Sequence, residues 1–288
     1  MSGQAQPQAQ AHATLTTTLE ARNLVKDFRL RGGTKVRTLN AVKDVSFTLE
    51  PGRTIALVGE SGSGKSTIAR MMAKLETPTS GEVLLDGRTS ATRGGGLARY
   101  RRDVQMVFQD PFSSLNPFHP ILHHLERPLR IHNPRLSSRE IRERAEELLE
   151  RVRLSPAATF ADRRPHELSG GQRQRVAIAR ALAPGSRFII ADEPVSMLDV
   201  SIRLGVLNLL AELQRQERLG VLYITHDLAT ARHFSDEILV MYRGEIVERG
   251  SSEQVILDPQ HEYTKTLLEA AADPDRLGWL RDDVRNGG

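Results

Sequence analysis

The sequence predicts an α/β fold built around a strand, a phosphate loop and a helix. Three observations carry that prediction. Thr54-Ile55-Ala56-Leu57-Val58 is a short apolar run of the kind that forms a strand covered on both faces. It leads directly into Gly59-Glu60-Ser61-Gly62-Ser63-Gly64-Lys65-Ser66-Thr67, and Ile68 to Leu75 follows in helical rhythm. A second apolar run, Phe188 to Ala191, ends in Asp192-Glu193, which places carboxylates at the C-terminal end of a strand, where α/β sheets bind ligands.

The remaining elements follow in chain order. Leu19 to Phe28 and Val42 to Leu49 read as strands with a loop between them, and Pro51-Gly52 makes a turn. Glu82 to Gly87 and Val104 to Phe108 read as further strands, with Arg93 to Gly96 as a flexible loop between them. From Pro111 the character changes. Prolines break the start, and Ser137-Ser138-Arg139-Glu140 is a capping-box pattern ahead of a helix whose Ile141, Ala145, Leu148, Leu149 and Val152 share one face. The segment of about residues 110–168 is therefore expected to be a peripheral helical insert. Ile202, Val206, Leu209, Leu210 and Leu213 stripe a helix, and Val221 to Thr225 is another buried strand. Ile238 to Tyr242 and Glu245 to Glu248 flank Arg243-Gly244 as a hairpin. There is no internal repeat, so one cassette is expected.

Composition narrows the class. With 39% hydrophobic and 26% charged residues, the chain of 288 residues can bury a full core. No apolar run reaches about 18 residues, so no membrane-spanning helix is expected. Residues 1–18 lack a basic start followed by an apolar stretch and read as a disordered tail, not a secretion signal. The absence of cysteine excludes disulfides and thiolate metal centres. The net charge of +4 is mild, and basic residues alternate with acidic ones, as in Arg139-Glu140-Ile141-Arg142-Glu143-Arg144; that is a solvated helix face, not a nucleic-acid patch.

The glycine loop fits G-x-x-x-x-G-K-[ST] in full. Glycines let the backbone curl so that successive N–H groups face an anion, and the helix that begins there adds its positive end. Lys65 reaches the β- and γ-phosphates of a nucleotide, and Ser66 is placed to ligate Mg²⁺. Asp192 can hold Mg²⁺ through a water, and Glu193 can polarise an attacking water; a solvated strand end is the alternative reading of that pair.

Leu168-Ser169-Gly170-Gly171-Gln172, with the apolar helix Arg173 to Leu182 behind it, completes the set. With these motifs the chain resembles an ATP-binding-cassette ATPase, a P-loop NTPase, over roughly residues 19–270. The resemblance implies a nucleotide-binding domain at residues 19–254, with an antiparallel β subdomain and the helical insert. It implies ATP and Mg²⁺ as ligands. It implies that Ser169, Gly170, Gly171 and Gln172 press on the γ-phosphate held by a second subunit. Gln109 matches the glutamine that senses Mg²⁺ and water, or is simply a polar strand end. Ser196-Met197-Leu198-Asp199 resembles the loop that couples the two sites, with Asp199 closing it. His226 matches the switch histidine, and Phe28 the aromatic that stacks on adenine, with a core position as its alternative.

Two segments narrow the resemblance to the oligopeptide, dipeptide and nickel importer branch: Gln109 to Pro117, and Asp258 to Leu268 within an extension at 255–288. Glu262 stands where that branch usually has proline, Met197 where alanine is commoner, and the branch's cysteine-containing tail is missing. The expected partners are transmembrane permeases, a second ATPase as homo- or heterodimer, an extracytoplasmic solute-binding protein indirectly, and no nucleic acid. The expected place is the cytoplasmic face of the cell membrane, bound peripherally, with the insert as the docking surface. Peptides are the expected solute, with short oligosaccharides an alternative. Two other readings are a soluble cassette protein acting on nucleic acid or ribosomes, which would usually carry two cassettes or a long coiled-coil insert, and an accessory ATPase of an enzyme complex such as a phosphonate-degrading one.

Overall fold

The computed structural model describes residues 17–32, 35–90 and 93–272, so the expected tail up to residue 16 and every residue beyond 272 lie outside the described residues. In chain order the elements are β1 (Leu19–Gly32), β2 (Lys35–Leu49), β3 (Thr54–Val58), α1 (Lys65–Met72), β4 (Ser80–Leu85), β5 (Arg88–Thr89), α2 (Gly94–Asp103) and β6 (Val104–Val107). Then come α3 (Pro111–Ser114), α4 (Ile121–His132), α5 (Ser138–Arg151), α6 (Ala157–Asp162), a short 3₁₀ turn and α7 (Gly170–Leu182). The chain continues through β7 (Phe188–Asp192), α8 (Val200–Glu217), β8 (Gly220–Thr225), α9 (Leu228–Phe234), β9 (Glu237–Tyr242), β10 (Glu245–Ser251), α10 (Ser252–Leu257) and α11 (Glu262–Ala272).

Two sheets organise the molecule. The larger has six strands in the order β10-β9-β3-β8-β7-β6, all parallel neighbours except the β9–β10 hairpin. The smaller is antiparallel, β2-β1-β4-β5. The apolar runs of the large sheet are continuous because both faces are covered. Along β3, Ile55 and Leu57 point to a core shared with α1 and the antiparallel sheet, while Ala56 and Val58 point to a core shared with the helical insert, α7 and α8. The same alternation runs through β7 and β8: Ile190 and Leu222 lie on the first face, Ile189 and Val221 on the second. The insert buries the face read from its sequence, with Ile141, Ala145 and Leu149 in the second core. The capping box forms at Ser137, whose hydroxyl accepts from the Glu140 amide while the Glu140 carboxylate accepts from the Ser137 amide.

Two expectations are corrected. The loop placed between residues 28 and 42 is mostly strand, because β1 and β2 stay in register out to Gly32↔Lys35. On the outer stretch of β2, Thr38, Leu39 and Asn40 are all exposed, so no buried face marks the strand in the sequence there. The flexible loop placed at Arg93 to Gly96 is instead the start of α2. The helix is fixed at its far end by Tyr100, fully buried with its hydroxyl donating to the Met72 carbonyl, and this anchor outweighs the poor helix propensity of three glycines.

The two sheets are tied by charge as well as by the first core. Arg187, just before β7, donates to Asp86 at 2.8 Å, after β4, and to Asp103 at 3.1 Å, at the end of α2. The hairpin at Arg243-Gly244 forms with both residues at positive φ, 47° and 90°, as a type I′ turn requires. Among the described residues, no helix is long and apolar enough to cross a membrane.

Candidate active site at the phosphate loop

The loop from Gly59 to Ser66 curls between the end of β3 and the start of α1, and its position is fixed by backbone contacts on both sides. The Ser63 carbonyl accepts from the Gly244 amide at 3.0 Å, and the Ser63 amide donates to the Glu60 carbonyl at 3.2 Å. Gly64 has φ 108°, and a Cβ there would lie 2.2 Å from the Ala41 carbonyl oxygen, so only glycine lets the loop pass under β2. The amides of Gly62, Gly64, Lys65 and Ser66 have no hydrogen-bond partner among the described residues. They form a cradle of free donors at a helix N-terminus, which suits a phosphate group. Ser61 and Thr67 lie exposed or half-exposed on the same loop. The Ser63 hydroxyl and Glu60 Oε1 are buried without partners, two more polar atoms aimed at this region.

Lys65 is almost fully buried, and its ammonium donates to the Gly59 and Glu60 carbonyls at 2.7 Å each. Burial pushes its pKa down, while the nearby carboxylates Glu193, Asp192 and Glu60 push it back up. Ser66 Oγ donates to Asp192 Oδ1 at 3.0 Å, bringing the helix start and the end of β7 together. Burial raises the Asp192 pKa and the Ser66 bond opposes that rise.

Glu193 follows Asp192 as a second carboxylate at the C-terminal end of β7. Its φ is 44°, an uncommon value for a residue with a side chain, and the turn is held by its amide bonding to the Ile224 carbonyl at 3.0 Å. Its carboxylate accepts from Gln109 Nε2 at 2.9 Å and lies 3.4 Å from His226 Nδ1. The bond to His226 holds the Glu193 pKa below the usual carboxylate range and raises that of His226. Thus Gln109, Glu193 and His226, from the ends of three neighbouring strands, converge on one carboxylate. Gln109 is tied here to Glu193 and makes no bond to Ser66 or Asp192.

This pair has a pH window with a definite sign. Its contribution to stability is lost on acidification, as Glu193 is protonated below its lowered pKa, and on the alkaline side, as His226 loses its proton above its raised one. The His226 imidazole is expected to titrate above the ordinary histidine value in the native chain, and lower in Glu193→Gln. NMR titration of the ring checks this; an identical titration in the two proteins would contradict it.

The other residues singled out by sequence stand apart from this cluster. Ser169 is the exposed N-cap of α7, in a reciprocal capping box with Gln172 at 3.3 and 3.0 Å. Gly170 and Gly171 form the first turn behind it, and none of these residues bonds to the phosphate loop of its own chain. Asp199 is the exposed N-cap of α8, and its loop is held to the cluster by Ser196 Oγ donating to the Glu193 carbonyl at 3.0 Å. Phe28 is half-buried on β1 opposite Leu39, with Lys26 Nζ 5.0 Å from its ring. Phe28 pairs with Leu39, two residues along β2 from Ala41, the residue under which Gly64 passes.

Two contacts escaped the sequence reading. Arg203 on α8 donates to the Leu198 carbonyl at 2.7 Å and so stiffens the Ser196–Asp199 loop. Tyr263 on α11 accepts a hydrogen bond from the Glu60 amide at 3.1 Å. Only the matched segment Asp258 to Leu268 signalled that this region mattered, without saying why.

Comparison with known proteins agrees with this geometry. A family model described as ABC transporter matches residues 42–196. The chain is 46% identical to the oligopeptide transport ATP-binding protein AppF of Bacillus subtilis, over 90% of this chain and 79% of that protein. It is 46% identical to the dipeptide transport ATP-binding protein DppF of Haemophilus influenzae, over 88% of this chain and 78% of that protein. It is 47% identical to the glutathione import ATP-binding protein GsiA of Escherichia coli, over 90% of this chain but 42% of that longer protein. Among solved structures, the dimeric ATP-binding cassette MJ0796 bound to ADP and phosphate superposes with a TM-score of 0.71 at 34% identity, covering 81% of this chain and 98% of that one. With the phosphate loop, the Glu193 cluster and these relatives in agreement, the chain belongs to the ABC transporter family and is one of its ATP-hydrolysing subunits.

Proposed function

We propose that the chain energises a membrane importer of peptides or a similar small solute, as one half of a two-ATPase clamp. The observation that carries the clamp is the division of the site: the hydrolytic residues converge on the phosphate loop, while Ser169 caps an exposed helix N-terminus that makes no bond to that loop. A helix start with free amides and no anion of its own fits the γ-phosphate held by another subunit. MJ0796, a dimer with ADP and phosphate, supports this arrangement. The second subunit is another copy or a paired ATPase.

Phe28 then meets the adenine ring, and the loop amides with Lys65 hold the phosphates. Ser66 and Asp192, with Gln109 close by, are the residues that would hold Mg²⁺; among the described residues no cluster of three or more metal-binding side chains exists, and one carboxylate with one hydroxyl fits a cation that takes its other ligands from phosphate and water. Bound there, Mg²⁺ would neutralise charge on the phosphate oxygens. Glu193 orients water and accepts its proton, Gln109 holds one carboxylate oxygen, and His226 holds the other and faces the γ-phosphate. Asp199 and Ser196 link this cluster to the second site. Closure of the clamp shifts the permeases between inward- and outward-open forms, and hydrolysis resets it.

The solute class rests on AppF, DppF and GsiA, whose names give oligopeptide transport, dipeptide transport and glutathione import. Attachment is peripheral, on the cytoplasmic face of the membrane, through the helical insert and onto permeases fed by a solute-binding protein. The test is affinity purification of the tagged chain from detergent-solubilised membranes of its host, read by mass spectrometry. Two permeases and a second ATPase are expected. Soluble metabolic enzymes without a permease would overturn the importer reading and favour an accessory ATPase.

A further inference from the structure

The C-terminal helix α11 is bound to the phosphate loop, and the point of contact is one peptide unit. The N–H of the Gly59–Glu60 peptide donates to Tyr263 Oη at 3.1 Å, and the C=O of the same peptide accepts from Lys65 Nζ at 2.7 Å. In a trans peptide these two groups point in opposite directions, so the plane is pinned from both edges. Tyr263 therefore fixes the orientation of the carbonyl on which the Lys65 ammonium rests.

Tyr263 is itself firmly placed. It is 7% exposed, and its ring lies 4.2 Å from that of Tyr242, at the end of β9. The next residue, Thr264, is fully buried, and Leu267 and Ala270 pack behind it. The entry to α11 is anchored to β10: the Gln260 and His261 amides donate to the two oxygens of Glu248 at 2.7 and 3.0 Å. The Tyr263 amide donates to His261 Nδ1 at 3.1 Å, which closes the first turn. The phenol is thus delivered to the loop by a clamp of several bonds, none of which the hydrolytic cluster uses.

We propose that Tyr263 is a positioning residue for nucleotide binding: through the Gly59–Glu60 peptide it presets Lys65, so that helix α11 sets the affinity of the phosphate loop. The claim rests on the phosphate loop being the nucleotide site. Without the phenol oxygen, the Glu60 amide loses its partner inside a packed region, the peptide is free to rock, and Lys65 must be ordered when the nucleotide arrives. The chemical step is untouched, because Glu193, Gln109 and His226 make no contact with Tyr263 among the described residues.

The test is Tyr263→Phe in the full chain, which keeps the ring and its packing and removes one oxygen. Affinity for a non-hydrolysable ATP analogue is measured by calorimetry beside steady-state kinetics and the melting temperature without nucleotide. The expected result is affinity weakened about three- to tenfold, the size of one hydrogen bond, with KM raised in proportion and kcat held within about twofold. Lys65→Ala is measured in parallel. If the native chain binds the analogue, Lys65→Ala loses it and Tyr263→Phe binds like the native chain, the positioning role is wrong and the phosphate-loop reading stands. If the native chain and Lys65→Ala bind alike, the phosphate-loop reading itself fails. A fall in kcat equal to the rise in KM, or a loss of affinity matched by a drop in melting temperature, would assign Tyr263 a purely structural role and overturn the proposal.

Discussion

Glu193→Gln is expected to lower kcat for ATP hydrolysis by about 10²- to 10⁴-fold while leaving nucleotide affinity nearly unchanged. The substitution keeps the size of the side chain and one acceptor oxygen for the Gln109 amide, which donates to the native carboxylate at 2.9 Å. It removes the negative charge that His226 faces at 3.4 Å and the group able to take a proton from water. The pKa of the native carboxylate is held low by its bond to His226, so it is ionised and ready to accept at neutral pH. The contacts of the phosphate loop, Lys65 to the Gly59 and Glu60 carbonyls and Ser66 to Asp192, are made to groups other than Glu193. Steady-state hydrolysis and calorimetry decide the matter: near-normal turnover would remove Glu193 from its role.

Lys65→Ala is expected to show the opposite pattern, a loss of nucleotide affinity on the order of 10- to 100-fold, the scale of a charge-assisted hydrogen bond to phosphate. The native ammonium is buried and has been taken out of water, which lowers its pKa. Its removal relieves that desolvation cost but leaves the Gly59 and Glu60 carbonyls without their donor, so the melting temperature without nucleotide is measured beside the affinity. A chain that is as stable as the native one but binds ATP poorly would mark Lys65 as a group held for its ligand. Unchanged affinity would contradict the phosphate-loop assignment.

The parts of this fold that were legible in the sequence are those where local pattern and tertiary packing agree. β3, β7 and β8 read as buried strands because both faces are covered, and their alternate residues do fill separate cores. The loop was legible because its function dictates its residues one by one: only glycine passes beneath Ala41 at position 64. The glycines at the start of α2 misled because Tyr100, a turn later, supplies an anchor that local propensity does not contain. The outer end of β2 was missed because Thr38, Leu39 and Asn40 are all exposed, so no buried face marks the strand there.

For the site, the strand end at Asp192-Glu193 pointed to Glu193 and the family resemblance to Gln109 and His226, but neither showed that one carboxylate receives the other two; that follows from β6, β7 and β8 lying side by side. Tyr263 was out of reach, because a contact between residues 60 and 263 depends on how the last helix docks and leaves no local pattern.

The most direct measurement of the central claim is the assembly state of Glu193→Gln by sedimentation, together with whichever ATPase co-purifies with it, in ATP and in ADP. A slow-turnover chain that shares its nucleotide between two subunits should form a two-ATPase species in ATP, return to single chains in ADP, and fail to assemble when Ser169 is replaced by arginine on every subunit that carries the substitution. Single chains at saturating ATP would contradict the clamp, and with it the division of labour between Lys65 on one subunit and Ser169 on the other.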